Sequence, residues 1–134
     1  MEETNNHTHS PDDFLAALYL YSDIEEFTSN KEKIHSAIKE LIETFSSRVG
    51  DLTEEFVFSE RESFPFSKTV EHVLMRLQLS NVIISENPRF YKYRVNNSIK
   101  NLLKKEIEKH LGREEVVLLK EMSKEFGTRC AFVI

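Results

Sequence analysis

The amino-acid sequence predicts a mostly helical α+β domain, and three observations predict it. Apolar residues recur at helical spacing in long stretches, most clearly Ile34, Ile38, Leu41, Ile42 and Phe45. Between Val82 and Val95 that period gives way to a β-branched run, a turn cluster and an alternating segment, the pattern of a β-hairpin. Only 3 Gly and 3 Pro occur in 134 residues, which excludes collagenous, linker-like and low-complexity chains. The length suits one domain able to bury a core of its own.

Residues 1–10 are polar and read as a disordered tail, leaving 11–134 as a single domain. Ser10 caps a first helix over 11 to about 26, with Pro11 at its first position and Asp12 and Asp13 at its positive end. Ser29 and Glu32 have capping-box spacing and open a second helix over about 30–47. Asp51 or Thr53 caps a short helix through Phe56 or Phe58, or else 55–59 is a strand. Pro65 forbids a central strand at 59–66. Ser67 caps a helix that carries Val70, Val73, Leu74 and Leu77 on one face and ends at Asn81. Val82–Ile84 and Arg89–Val95 form the hairpin around the turn Ser85-Glu86-Asn87-Pro88, with Phe90, Lys92 and Arg94 on one side and Tyr91, Tyr93 and Val95 on the other. Asn96-Asn97-Ser98 breaks and caps a helix stopped by Gly112, and Arg113–Phe126 forms another, stopped by Gly127. The apolar tail 130–134 is a last strand or a packed end.

Catalytic signatures are missing. There is no G-x-S-x-G, no phosphate-binding glycine loop and no H-E-x-x-H, so the chain is read as a non-enzyme without cofactor. His7 and His9 fall in the tail, and His35, His72 and His110 lack ligand spacing, so no metal is expected. Ser67, Glu71 and His72 have no spacing that singles them out as a catalytic set. A single cysteine, Cys130, excludes an intramolecular disulfide framework and reads as a small buried apolar residue. No apolar run approaches the roughly 20 residues that span a bilayer, and MEETNNHTHS is no secretory signal, so the expectation is a soluble cytoplasmic protein with no membrane partner.

The formal net charge is −5, unevenly placed. Residues 1–56 balance to −9, whereas 76–105 balance to +6 through Arg76, Arg89, Lys92, Arg94, Lys100, Lys104 and Lys105 against Glu86 alone. Such asymmetry predicts an electropositive face on an acidic domain. The stretch 67–95, SKTVEHVLMRLQLSNVIISENPRFYKYRV, runs a capped helix into a basic, tyrosine-rich hairpin through Leu77, Ser80, Val82 and Ile83. It resembles the recognition helix and wing of the winged-helix (winged helix-turn-helix) family, over residues 30–95.

That resemblance implies a winged-helix core with extra helices at both ends, and a small DNA-binding transcriptional regulator or antitoxin-like regulator. Ser67, Lys68, Thr69, His72 and Arg76 would meet double-stranded DNA from the helix, and Arg89, Lys92 and Arg94 from the wing. The connection 59–66 is longer than the family's, and it carries Glu60 and Glu62, which would repel phosphates. The alternative is therefore a non-catalytic protein–protein interaction module on the same fold. Helices in 98–126 lie outside a minimal winged helix; their Ile99, Leu102, Leu103, Val116, Leu119 and Met122 could pack within the chain or form a homodimer.

Overall fold

The computed structural model describes residues 10–60, 63–86 and 91–132. It is mostly helical α+β: α1 (Pro11–Leu20), β1 (Glu26–Thr28), α2 (Lys31–Thr44), a short α3 (Ser46–Val49) with a 3-10 turn at Gly50–Thr53, α4 (Lys68–Leu79), β2 (Ile83–Ser85), β3 (Lys92–Val95), α5 (Lys100–Glu108) and α6 (Arg113–Cys130). The small antiparallel sheet has the order β1-β3-β2. Glu26 pairs with Arg94 and Ile83 with Val95, so β3 is central.

The core is organised around α1. Its sequence FLAALYL is apolar on every side, and every residue from Phe14 to Leu20 is buried. A helix apolar all round is stable only when surrounded, and α6, α4 and α5 surround it. Ser10 and Asp13 start it with a reciprocal capping box. The helix ends at Leu20, six residues before the expected limit. Ser22 competes with it, because its Oγ accepts the N–H of Ile24 at 3.2 Å. Glu26, expected as the end of that helix, instead opens the edge strand Glu26–Thr28 on β3.

Other differences also have local causes. The second helix is capped by Asn30, whose Oδ1 accepts the N–H of Lys33 at 2.9 Å, rather than by the Ser29–Glu32 box. Neither the short helix through Phe56 or Phe58 nor the strand at 55–59 forms; Ser59 and Phe66 make an isolated bridge across that connection. Gly112 starts α6 rather than stopping α5, with its N–H donated to Glu115 Oε1. Gly127 stops nothing, and α6 continues to Cys130. A Cβ at Gly127 would lie 2.8 Å from Ser22 Oγ, so glycine lets α6 approach the chain leaving α1. This close packing outweighs the roughly 1 kcal/mol helix penalty of glycine. The tail bridges β1, with Phe132 donating its N–H to the Glu26 carbonyl.

Two expected elements match closely. Helix α4 starts at the Ser67 cap, whose Oγ accepts the N–H of Val70, and buries Val70, Val73, Leu74 and Leu77. It runs to Leu79, and Asn81, the expected stop, adopts φ +62° just past the Ser80 cap while Val82 donates back to the Leu77 carbonyl, a left-handed helix stop that asparagine tolerates. The hairpin strands pair as the alternation requires, burying Tyr93 and Val95. Among the described residues no helix is long and apolar enough to cross a membrane.

Candidate binding surfaces on the fourth helix, the hairpin and the last two helices

The two faces of α4 do different work. The inner face is fixed to α2 by a buried polar latch. His35, fully buried on the apolar face of α2, receives the N–H of Ser67 at Nδ1 (3.0 Å) and lies 2.7 Å from Glu71 through Nε2. An Nδ1 that accepts a backbone N–H must carry a lone pair, so the ring proton sits on Nε2 and is donated to the Glu71 carboxylate. Lys31 reaches Glu71 from the solvent side at 2.9 Å, and Phe66 stacks on the imidazole with centroids 4.8 Å apart. Burial alone would raise the Glu71 pKa, but the hydrogen bonds from His35 and Lys31 outweigh it and hold the carboxyl below its ordinary value.

This cluster contains a serine, a histidine and an acid without being a catalytic set. Both imidazole nitrogens are engaged, and the Ser67 hydroxyl oxygen serves as the helix cap. Its role is to hold α4. Cys130 is buried as well, and that burial pushes its thiol pKa up to about 12, which leaves it without thiolate character. Among the described residues no group of three or more His, Cys, Asp or Glu side chains could hold a metal.

The outer face of α4 is a stripe at offsets of 0, 4, 7 and 11: Lys68, His72, Met75 and Leu79, all exposed. Met75 is 58% and Leu79 77% accessible. Tyr91, 59% accessible, belongs by alternation to the strand side of Tyr93, whose hydroxyl meets Gln78 of α4.

The sequence-selected residues divide accordingly. Lys68 and His72 are on the exposed stripe. Thr69 is half-exposed, and its hydroxyl donates to the Glu55 carbonyl. Ser67 is fully buried beneath the helix start, because it both caps α4 and seats His35; its side chain does not reach the surface. Arg76 is on α4 but is held by Asp12 of α1 in a two-point pair, both contacts 2.7 Å. Lys92 pairs with Glu26 at 2.7 Å, and Arg94 with Glu86 at 3.3 Å. Both occupy the sheet face turned away from α4: Lys92 lies over Phe132, and Arg94 lines a recess with Asp23 and Glu25. They therefore do not share a face with the α4 stripe. Arg89 lies outside the described residues.

Sequence reasoning missed the latch, and His35 was the available signal: a histidine between Ile34 and Ile38 on an apolar helix face needs polar partners when buried. It also missed the surface of the last two helices. Lys104 and Lys120 approach the same Tyr21 ring, at 5.7 and 5.6 Å from its centroid. Lys100 donates to the Ser22 carbonyl at 3.4 Å, and Lys124 lines a recess with Ser22 and Asp23. Of the apolar residues that the sequence left to pack within the chain or form a homodimer, Leu119 and Met122 are buried within the chain, while Leu102 is exposed.

Compared with protein-family models, with curated proteins and with solved structures, the chain matches none of them significantly.

Proposed function

We propose that this chain is a cytoplasmic, non-catalytic protein–protein interaction module on a winged-helix-like core, with the outer stripe of α4 as its contact surface. The observation that carries this reading is the exposure of Met75 and Leu79 one turn apart on a rigid, latched helix. Exposed large apolar side chains grouped on one element mark association surfaces more often than isolated ones do. Lys68 and His72 continue the stripe, so the fitting partner segment offers apolar anchors followed by an acidic end. The element order from α1 through β3, with β1 as the third strand, supports the winged-helix-like description.

A photo-crosslinker placed at position 79 tests it in cells that express the chain naturally. The expected product is a defined adduct with one protein, lost in a Met75→Asp variant that remains folded. An adduct with DNA, or none, would overturn the reading.

The second reading is a DNA-binding regulator, or antitoxin-like regulator, that uses α4 and the hairpin. It is favoured by the helix-to-hairpin arrangement and by Lys68, which has no ion-pair partner among the described residues. Against it stand Arg76, Lys92 and Arg94, because each must leave an acidic partner before it can neutralise a phosphate. A homodimer through 98–126 would have to use Leu102 and Val117, the exposed large apolar side chains of those helices.

A further inference from the structure

We infer that the outer surface formed by α5 and α6 binds the phosphate backbone of a nucleic-acid duplex without regard to sequence. This surface is separate from the α4 stripe and from the hairpin. Its basis is a lattice of cations drawn from two helices. Lys100 and Lys104 are one turn apart on α5, and Lys120 and Lys124 one turn apart on α6. Tyr21 joins the middle pair, since the ammonium groups of Lys104 and Lys120 both approach its ring. Ser22 joins the end pair: its carbonyl accepts from Lys100, and its side of the neighbouring recess is lined by Lys124. Arg113 continues the α6 row at the spacing of the same face.

None of these five cations has an ion-pair partner among the described residues. That contrasts with Arg48, Arg76, Lys92, Arg94 and Arg129, all of which are paired. Three acids border the lattice without an ion pair to it: Glu108 accepts the Tyr21 hydroxyl at 2.7 Å, Asp23 lines the recess beside Lys124, and Glu121, one turn before Lys124, is paired with Arg48. Exposure agrees with a contact role: Arg113, Lys120 and Lys124 are exposed, and Lys100 and Lys104 lie half-buried along Tyr21 and Ser22.

Two arguments select a nucleic-acid backbone over an acidic protein. Cores of protein interfaces are depleted in lysine and built on apolar or aromatic anchors, whereas lysine and arginine are the standard phosphate contacts. Here the aromatic ring is already occupied by two ammonium groups, and Val117 is the one exposed large apolar side chain on the α6 row. Length is the second argument. Eleven helical steps from Arg113 to Lys124 span about 16 Å, about five base-pair steps of duplex axis at about 3.4 Å each. Two parallel rows of cations over that length can reach phosphates on both strands, so the five cations set the number of charges neutralised. The net charge of −5 does not oppose this, because a local lattice focuses its own field and salt screens the distant acids.

The test is fluorescence anisotropy of a labelled random-sequence 20-base-pair duplex with the whole chain, titrated with salt. Binding is expected at 50 mM salt, with a log–log slope of about −4 set by four to five neutralised phosphates. Lys120→Glu with Lys124→Glu should weaken binding more than tenfold. Lys104→Gln with Lys120→Gln, a milder change should the first variant misfold, should reduce the slope by about two. Lys92→Ala with Arg94→Ala, and Met75→Asp, should leave binding unchanged, which separates this proposal from both readings of α4. The proposal is overturned by no binding at 50 mM salt, by losses that follow Lys68, Lys92 and Arg94 instead, or by equal competition from a polyglutamate peptide of matched charge.

Discussion

The hairpin and the last two helices draw cations from one short basic segment and put them to opposite uses. In the α4–hairpin region, Arg76, Lys92 and Arg94 are each neutralised by an acid far away in sequence or across the turn. In the α5–α6 region, Lys100 and Lys104 face two lysines of α6 across Tyr21 and Ser22, with no ion-pair partner among the described residues. A charge balance along the chain cannot distinguish these cases. The acidic first half supplies Asp12 and Glu26 to the first region, and α6 supplies further cations to the second. Surface potential follows pairing, and pairing is a product of the fold.

The largest expected effect tests whether α4 is a fixed platform with two distinct faces. Leu74 is 3% accessible and Leu79 is 77% accessible on the same helix. Leu74→Ala should cost about 2–5 kcal/mol by removing core contacts and leaving a cavity. Leu79→Ala should stay within about 0.5 kcal/mol. Urea midpoints of the two variants check this. Similar costs would mean that Leu79 is covered, which would remove the basis for a contact surface there.

A smaller effect is expected at the latch. His35→Ala leaves the Ser67 N–H without its acceptor beside a buried void, at a cost of roughly 1–3 kcal/mol for the unsatisfied group. The pH dependence has a definite sign. Glu71 is lowered in the folded state, so its contribution is complete above the unfolded carboxyl pKa near about 4.3 and is lost as pH falls through the folded value. Urea denaturation between neutral and acid pH should show the native chain losing more stability than Glu71→Gln, in which this position no longer titrates. Parallel pH profiles would show that the His35 and Lys31 contacts do not favour the carboxylate.

These regions also differ in what their sequences could reveal. Helix α4 and the hairpin were legible because their determinants are local: the Ser67 cap, apolar residues at three- and four-residue spacing, Asn81 at the stop, and strand alternation through Val95. Strand β1 was not, because Glu26–Thr28 is three residues long and takes its pairing from Lys92–Arg94 on the far side of α2 and α4. Gly127 misled because its local propensity opposes the helix while its packing against Ser22 requires glycine. Of the eight candidate site residues, Lys68 and His72 have the expected free surface position. Ser67 is turned to the core by a histidine 32 positions away, and Arg76 is neutralised by an aspartate 64 positions away. Interactions at such separations leave no periodic trace.

The smallest effect bears most directly on the comparison between paired and unpaired cations. Arg76 and Asp12 form a two-point pair, but Arg76 is about half accessible, so water and side-chain entropy offset most of the attraction. A double-mutant cycle with Arg76→Ala and Asp12→Ala should therefore give a coupling of only about 0.2–1 kcal/mol, shrinking as salt rises. Lys124→Ala should show no loss of stability and, at low salt, a slight gain. Lys120 repels it from one turn away, and although Glu121 and Asp23 lie near it, neither forms an ion pair with it. The signs matter more than the sizes. A paired cation loses stability on removal at low salt, whereas an unpaired one relieves repulsion and leaves the fold intact. If Lys124→Ala proves as destabilising as Arg76→Ala, the lysines of α5 and α6 are held by partners within the chain, and the distinction between the two basic regions disappears.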